Sequence, residues 1–297
     1  MSARLESAAD RLESGANQSG CGADLYGPRS RPPALIGWLP TLVTLGAALG
    51  LLVYGRVAQF PDYHAFADQR ALLGIPRAAD VLSNIGFLLV GASGVYRLWT
   101  DGRRAIADGA WSGYLIFCVS LIATAAGSAF YHLAPDDHRI IWDRLPIALA
   151  CAGLLGAVRA ECSPGPGDHV RTGLLVAAAI ASVLWWSMTN VTGAGDLRPY
   201  LLLQSLPLVL IPLWQAVHRI PRRRRLVFAA AMPLYVLAKG AELGDRVVFG
   251  ALGLVSGHTL KHVIAALAAG LLVRVIVPPA RYSRVAGPSP VANELVW

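Results

Sequence analysis

Long apolar runs separated by short polar connections dominate the chain. Eight of them, at about 34–55, 79–99, 111–133, 140–158, 172–190, 199–217, 226–241 and 258–277, approach the roughly 20 residues a helix needs to cross a bilayer core. None shows the alternating ten-residue pattern of a membrane β-strand, and helices satisfy their own backbone in lipid. The pattern predicts an all-α integral membrane protein, with one polytopic domain over 34–277 and no soluble domain between spans. The polar flanks, 1–33 and 278–297, are expected to be a disordered N-terminal segment and a C-terminal tail. The N-terminal flank is too long and mixed for a signal-peptide n-region, so the first run is expected to be a retained span.

Composition agrees with this picture. Hydrophobic residues make up 55% of the 297 positions and charged residues 15%, against about 25% charged in an ordinary soluble domain. The net charge of +8 is almost entirely arginine. These arginines lie between apolar runs rather than on one basic face, which fits membrane topology and not nucleic-acid binding. With the N-terminus inside, 16 arginines fall on inner segments and 7 on outer ones, so both termini are expected to be cytoplasmic. The run Arg222 to Arg225 reads as a cytoplasmic anchor. Arg- and Ala-rich, Lys-poor usage points to a GC-rich bacterial genome, which would make the membrane the inner one. Cys21, Cys118, Cys151 and Cys162 have no zinc-finger or redox spacing, so no disulfide framework is expected.

Ionisable residues inside spans are costly and mark functional sites. Ser128 and His132 are four apart on one face at the end of the third run. Asp143 opens the fourth run, and His258 and His262 open the eighth, again on one face. The arginine-based topology places all three run ends toward the outer leaflet, so one shared site is expected there. Three histidines are the protein ligands of many catalytic zinc sites, which leave the fourth position to water. Asp143 would hold or deprotonate that water, and Ser128 would donate to a developing oxyanion. Taken alone, the His258/His262 pair is also compatible with an interfacial position or a haem, and Ser128 with simple packing.

Other polar residues leave alternatives open. Lys239, Glu242 and Asp245 recur at three-residue spacing near the expected site, as an ion network or as the lining of a substrate mouth. Asn84 is expected to hydrogen-bond across helices. His64, His138, His169 and His218 are expected to be solvated. Asn190-Val191-Thr192 matches a glycosylation sequon.

The set "SAFYH" (128–132), Asp143 and "HTLKH" (258–262) resembles the signature of the CREST superfamily of seven-helix membrane proteins, which includes the alkaline ceramidases and the progestin and adipoQ receptors. The segment "FADQRALLGIPRAADVLSNIGFLLVG" resembles the first core helix of bacterial ceramidase relatives, and the similarity covers about 61–277. The resemblance implies a seven-helix core preceded by one extra transmembrane helix, eight spans in all. It also implies a zinc-dependent amide hydrolase, with His132, His258 and His262 as zinc ligands and Ser128 and Asp143 assisting the water. Alkaline ceramidases carry an acidic calcium cluster before the first core helix. Here Asp62, Asp68 and Asp80 do not reproduce its spacing, and Asp80 stands where relatives have asparagine, so calcium is not expected.

The expectation is therefore a membrane hydrolase cleaving an amide, or an ester, in a lipid-like substrate such as a sphingolipid. Two rivals remain. One is a receptor or regulator with a structural zinc; the other is a haem-binding or transport protein using the same histidines.

Overall fold

The computed structural model describes residues 34–102, 106, 108–193 and 195–276; the flanks expected to be a disordered segment and a tail lie outside these described residues. Two helices open the described chain, α1 (Ala34–Gly37) and α2 (Leu39–Tyr54). Seven stretches that follow are long and apolar enough to cross a membrane. The first combines α3 (Ala78–Ser83), α4 (Ile85–Arg97) and a π-helical turn at Leu98–Gly102. The others are α5 (Asp108–Leu133), α6 (Ile140–Cys162), α7 (Asp168–Val191), α8 (Arg198–Val217), α9 (Arg222–Leu243) and α11 (Gly257–Ile276), with the short α10 (Asp245–Leu252) between the last two. The chain is thus a helical, multi-pass membrane protein. With 16 residues, α2 rises about 24 Å, short of the roughly 30 Å hydrocarbon core.

Four helices run beyond their apolar segments. The Arg222 to Arg225 run forms the first turn of α9, after an extended Pro221. Helices α5, α6 and α7 likewise carry polar residues at their ends. Hydropathy marks where the chain leaves hydrocarbon, whereas hydrogen bonding decides where the helix stops. Helix α10 went unanticipated because eight residues are too few to register as a run.

Neighbour contacts close a ring in the order α4–α5–α6–α8–α9–α11 and back to α4. Helix α7 packs outside it against α6 and α8, and α2 lies along α8. Large apolar side chains such as Leu49, Leu89, Leu174 and Leu267 remain exposed on the outer surface. That surface suits lipid rather than water.

The α5–α6 seam is built from glycine. A Cβ on Gly113 would meet the Ala157 amide nitrogen at 2.6 Å, and one on Gly153 would meet that of Phe117 at 2.7 Å. At the other end of the seam, a Cβ on Gly127 would fall onto the Trp142 carbonyl oxygen. Pro146 sits inside α6 and has no N–H to offer that carbonyl four residues back. The backbones therefore approach as small-residue interfaces allow in membranes. This contact brings Gly127, the residue before Ser128, against the α6 backbone at Trp142 and Asp143.

Candidate metal centre

Two helices bring the histidines together. His132 is one residue from the end of α5, and its carbonyl accepts from Arg77 Nε at 2.6 Å. Arg77 Nη2 also donates to Leu133 O at 2.8 Å, so one side chain caps two orphan carbonyls of the helix end. His258 opens α11, and its amide donates to Asp245 Oδ1 at 2.8 Å. A Cβ on the preceding Gly257 would fall onto the Ala241 carbonyl oxygen, so α11 starts hard against α9. His262 follows one turn later.

The ring centroids form a compact triangle with sides of 4.7, 4.8 and 5.1 Å. His132 and His258 present their Nε2 atoms to each other at 3.2 Å. Tetrahedral zinc with Zn–N bonds of about 2.0–2.1 Å sets its nitrogens about 3.3 Å apart, so this pair already has the spacing of a shared ion. One nitrogen from each of the three rings lies within 4.8 Å of the others. A shift of at most about 1.5 Å closes the third ligand. The donor set and spacing therefore fit a divalent metal such as zinc. Among the described residues, this is the group that converges closely enough to hold an ion.

Burial decides against the interfacial reading. His132, His258 and His262 are 0%, 4% and 2% exposed. Phe66, from the segment before α3, packs edge-on against His132 and His258 with centroids 4.6 and 4.5 Å away. His262 Nδ1 is bound to Ser83 Oγ at 2.8 Å, and its Nε2 has no partner. Holding one ring nitrogen with an outer partner leaves the other to a metal. His132 Nδ1 also has no partner. Lys261 Nζ stands 3.1 Å from His258 Nε2 and 2.8 Å from Glu242 Oε1. An ion bound by His258 Nε2 would displace this ammonium, which would still have Glu242 as its partner.

Ser128 and Asp143 are both buried, and Ser128 Oγ and Asp143 Oδ1 lack partners. Both line a cavity of about 900 Å³ enclosed by the six ring helices, as do His258 and His262. His132 is not among the lining residues. The rest of the wall is mostly apolar, with Phe117, Leu154, Ile211, Phe228 and Leu272 toward its far end. The cavity lies at the upper end of the usual range for ligand pockets, about 300–1,000 Å³.

The ionisable residues near the cavity fall into place. Glu242 pairs with Lys239 at 2.9 Å as well as with Lys261, so the Lys239–Glu242 part of the expected network forms and lines the cavity. Asp245 does not continue the α9 face. The chain breaks at Gly244, and Asp245 opens α10, where it receives the amides of Ala67 and His258. Asp62, Asp68 and Asp80 have separate partners: Arg246, Arg70, and the hydroxyls of Thr259 and Ser256. The hydrogen bonds from Arg70 hold the Asp68 carboxyl below its ordinary pKa despite burial. Arg70 also reaches the carbonyls of Gly253 and Leu254, tying this segment to the start of α11.

Two expectations are corrected. Asn84 does not bond across helices: its Nδ2 donates to Asp80 O at 2.8 Å, at the junction of α3 and α4. His64 is not simply solvated, since Nδ1 meets Tyr131 Oη at 2.8 Å and Nε2 meets Asp137 at 2.9 Å. Burial raises the Asp137 pKa, but the hydrogen bonds from His64, Asn190 and Gln59 outweigh it and hold the group low. Sequence reasoning passed over Ser83, Phe66 and Arg77. Ser83 had a signal, being a hydroxyl inside an apolar run; Phe66 and Arg77 had none.

No protein-family model matches the chain, and no curated protein matches it.

Proposed function

We propose that this chain is a CREST-type, zinc-dependent hydrolase that cleaves an amide, or an ester, in a lipid-like substrate drawn from the membrane. The carrying observation is the convergence of three buried histidines, two of which line a largely apolar cavity together with the unpartnered Ser128 Oγ and Asp143 Oδ1. A zinc ion held by His132, His258 and His262 supplies Lewis-acid polarisation of a carbonyl and acidifies water toward a pKa of about 7.

The chain's own groups do the rest. Asp143 accepts a proton from the attacking water and passes it to the leaving amine as the carbon–nitrogen bond breaks. Ser128 Oγ donates to the oxygen that gains negative charge. The apolar wall of the cavity holds the acyl chain. Three histidines leave an ion open to a further ligand, which favours catalysis over a closed structural site. Rings packed at 4.7–5.1 Å leave no slot for a porphyrin plane between them.

In this reading α2 is an eighth, thin span before a seven-helix core, and the membrane is a bacterial inner membrane. Both termini are cytoplasmic and the site faces outward; reporter fusions after Arg219 and after Asp196 should then read inside and outside, and the reverse would place the site on the inner leaflet. The function itself is tested by fatty-acid release from a panel of N-acyl lipids. Purified wild type should release acid, and Asp143→Asn should bind metal yet lose about 10²–10⁴-fold in kcat. Undiminished turnover in Asp143→Asn would remove it from the chemistry.

A further inference from the structure

Arg144 has a side chain that the mechanism above does not use. It follows Asp143 on α6, is 3% exposed and lines the same cavity. Its guanidinium carbon stands 4.1 Å from the ring centroid of Trp186 on α7, 5.2 Å from Tyr63 and 5.7 Å from Tyr200 on α8. Nη2 donates to Gln59 Oε1 at 2.6 Å, while Nε and Nη1 have no partner.

Both lysines that line the cavity have a carboxylate partner. Glu242 forms ion pairs with both Lys239 and Lys261, and Asp245 is held by two backbone amides. Among the described residues, no carboxylate forms an ion pair with Arg144. A buried guanidinium without a counter-charge is costly, more so in a membrane interior. Cation–π contacts satisfy the faces of the group but not the N–H bonds at its edges. Those edges suit a planar oxyanion such as a carboxylate.

We propose that Arg144 receives a carboxylate on the amine half of the substrate, so that the lipid amide is an N-acyl amino acid rather than a neutral ceramide-like amide. The substrate class rests on the hydrolase reading; the anion site itself does not. Asp143 and Arg144 line the same cavity, so one can serve the scissile bond while the other holds a charge on the same substrate. A monoanion balances the single guanidinium and adds the least repulsion beside Asp143.

The test compares N-lauroyl glycine with N-lauroyl ethanolamine on the purified, zinc-loaded protein. Both release the same fatty acid, so a product carboxylate cannot account for a difference. Wild type should prefer the glycine conjugate in kcat/KM by about 30-fold or more. Arg144→Gln should lose that preference while keeping turnover of the ethanolamide, and Arg144→Lys should retain part of it. Equal turnover of the two amides by wild type, or equal losses on both in Arg144→Gln, overturns the proposal. If neither amide is cleaved, the hydrolase reading fails, and calorimetric binding of the two amphiphiles decides the anion site. Tighter binding of the glycine conjugate that Arg144→Gln abolishes supports it, and equal binding to wild type overturns it.

Discussion

His132 and His258 lie 126 residues apart in the chain, on helices α5 and α11, yet their Nε2 atoms meet at 3.2 Å. As neutral rings in complementary tautomers they share one N–H···N hydrogen bond. With both Nε2 atoms unprotonated, the same spacing would suit a shared cation. His262, with its own Nε2 unpartnered, completes the set.

Ser83 fixes which nitrogen His262 offers. Ser83→Ala removes the 2.8 Å contact at Nδ1 and frees the ring to turn. Loss of such an outer partner typically costs about 10–100-fold in metal affinity. Competition with a graded series of chelators should show this weakening with the fold retained. Unchanged affinity would mean that packing against Phe87, 6.2 Å away between centroids, is enough to hold the ring.

The glycine seam makes a separate prediction about stability. Gly127→Ala drives a Cβ onto the Trp142 carbonyl, whereas Gly173 in α7 has nothing within 4 Å of the same position. The first substitution forces α5 and α6 apart and should cost about 1–3 kcal/mol. The second should be neutral or gain up to about 1 kcal/mol from helix propensity. Thermal unfolding in detergent reads both, and equal Tm values for the two variants would contradict the close approach.

Much of the site was legible in the sequence because helix periodicity alone puts Ser128 beside His132 and His258 beside His262. Asp143 stood out as a carboxylate at the start of an apolar run. The ring order was not legible. Lipid is as apolar as a protein core, so the hydropathy of α7, outside the ring, resembles that of the more enclosed α6. Nor could spacing reveal Phe66 or Arg77, which reach the histidines from an irregular segment. Asn84 drew notice as the more polar residue, while its neighbour Ser83 makes the contact that matters.

Acid should loosen the connection between α7 and α8. Asp196 is buried, which raises its pKa, but hydrogen bonds from the Arg198 side chain and amide and from Trp185 outweigh this and hold it at about 2. A carboxylate with a depressed folded-state pKa stabilises fully above its unfolded value of about 3.9. That stabilisation fades as pH falls through the folded value. Unfolding Tm should therefore drop between about pH 4 and pH 2, and Asp196→Asn should shrink the drop while lowering Tm at neutral pH. An identical acid profile in the variant would assign the loss to other carboxylates.

The central claim, that three histidines from two distant helices hold one zinc, is tested most directly by metal stoichiometry. Protein purified without chelator should carry one zinc per chain, and the His258→Ala, His262→Ala double variant, still folded, should carry almost none. Folded wild-type protein that neither retains nor takes up zinc, or a double variant with unchanged zinc, would contradict it.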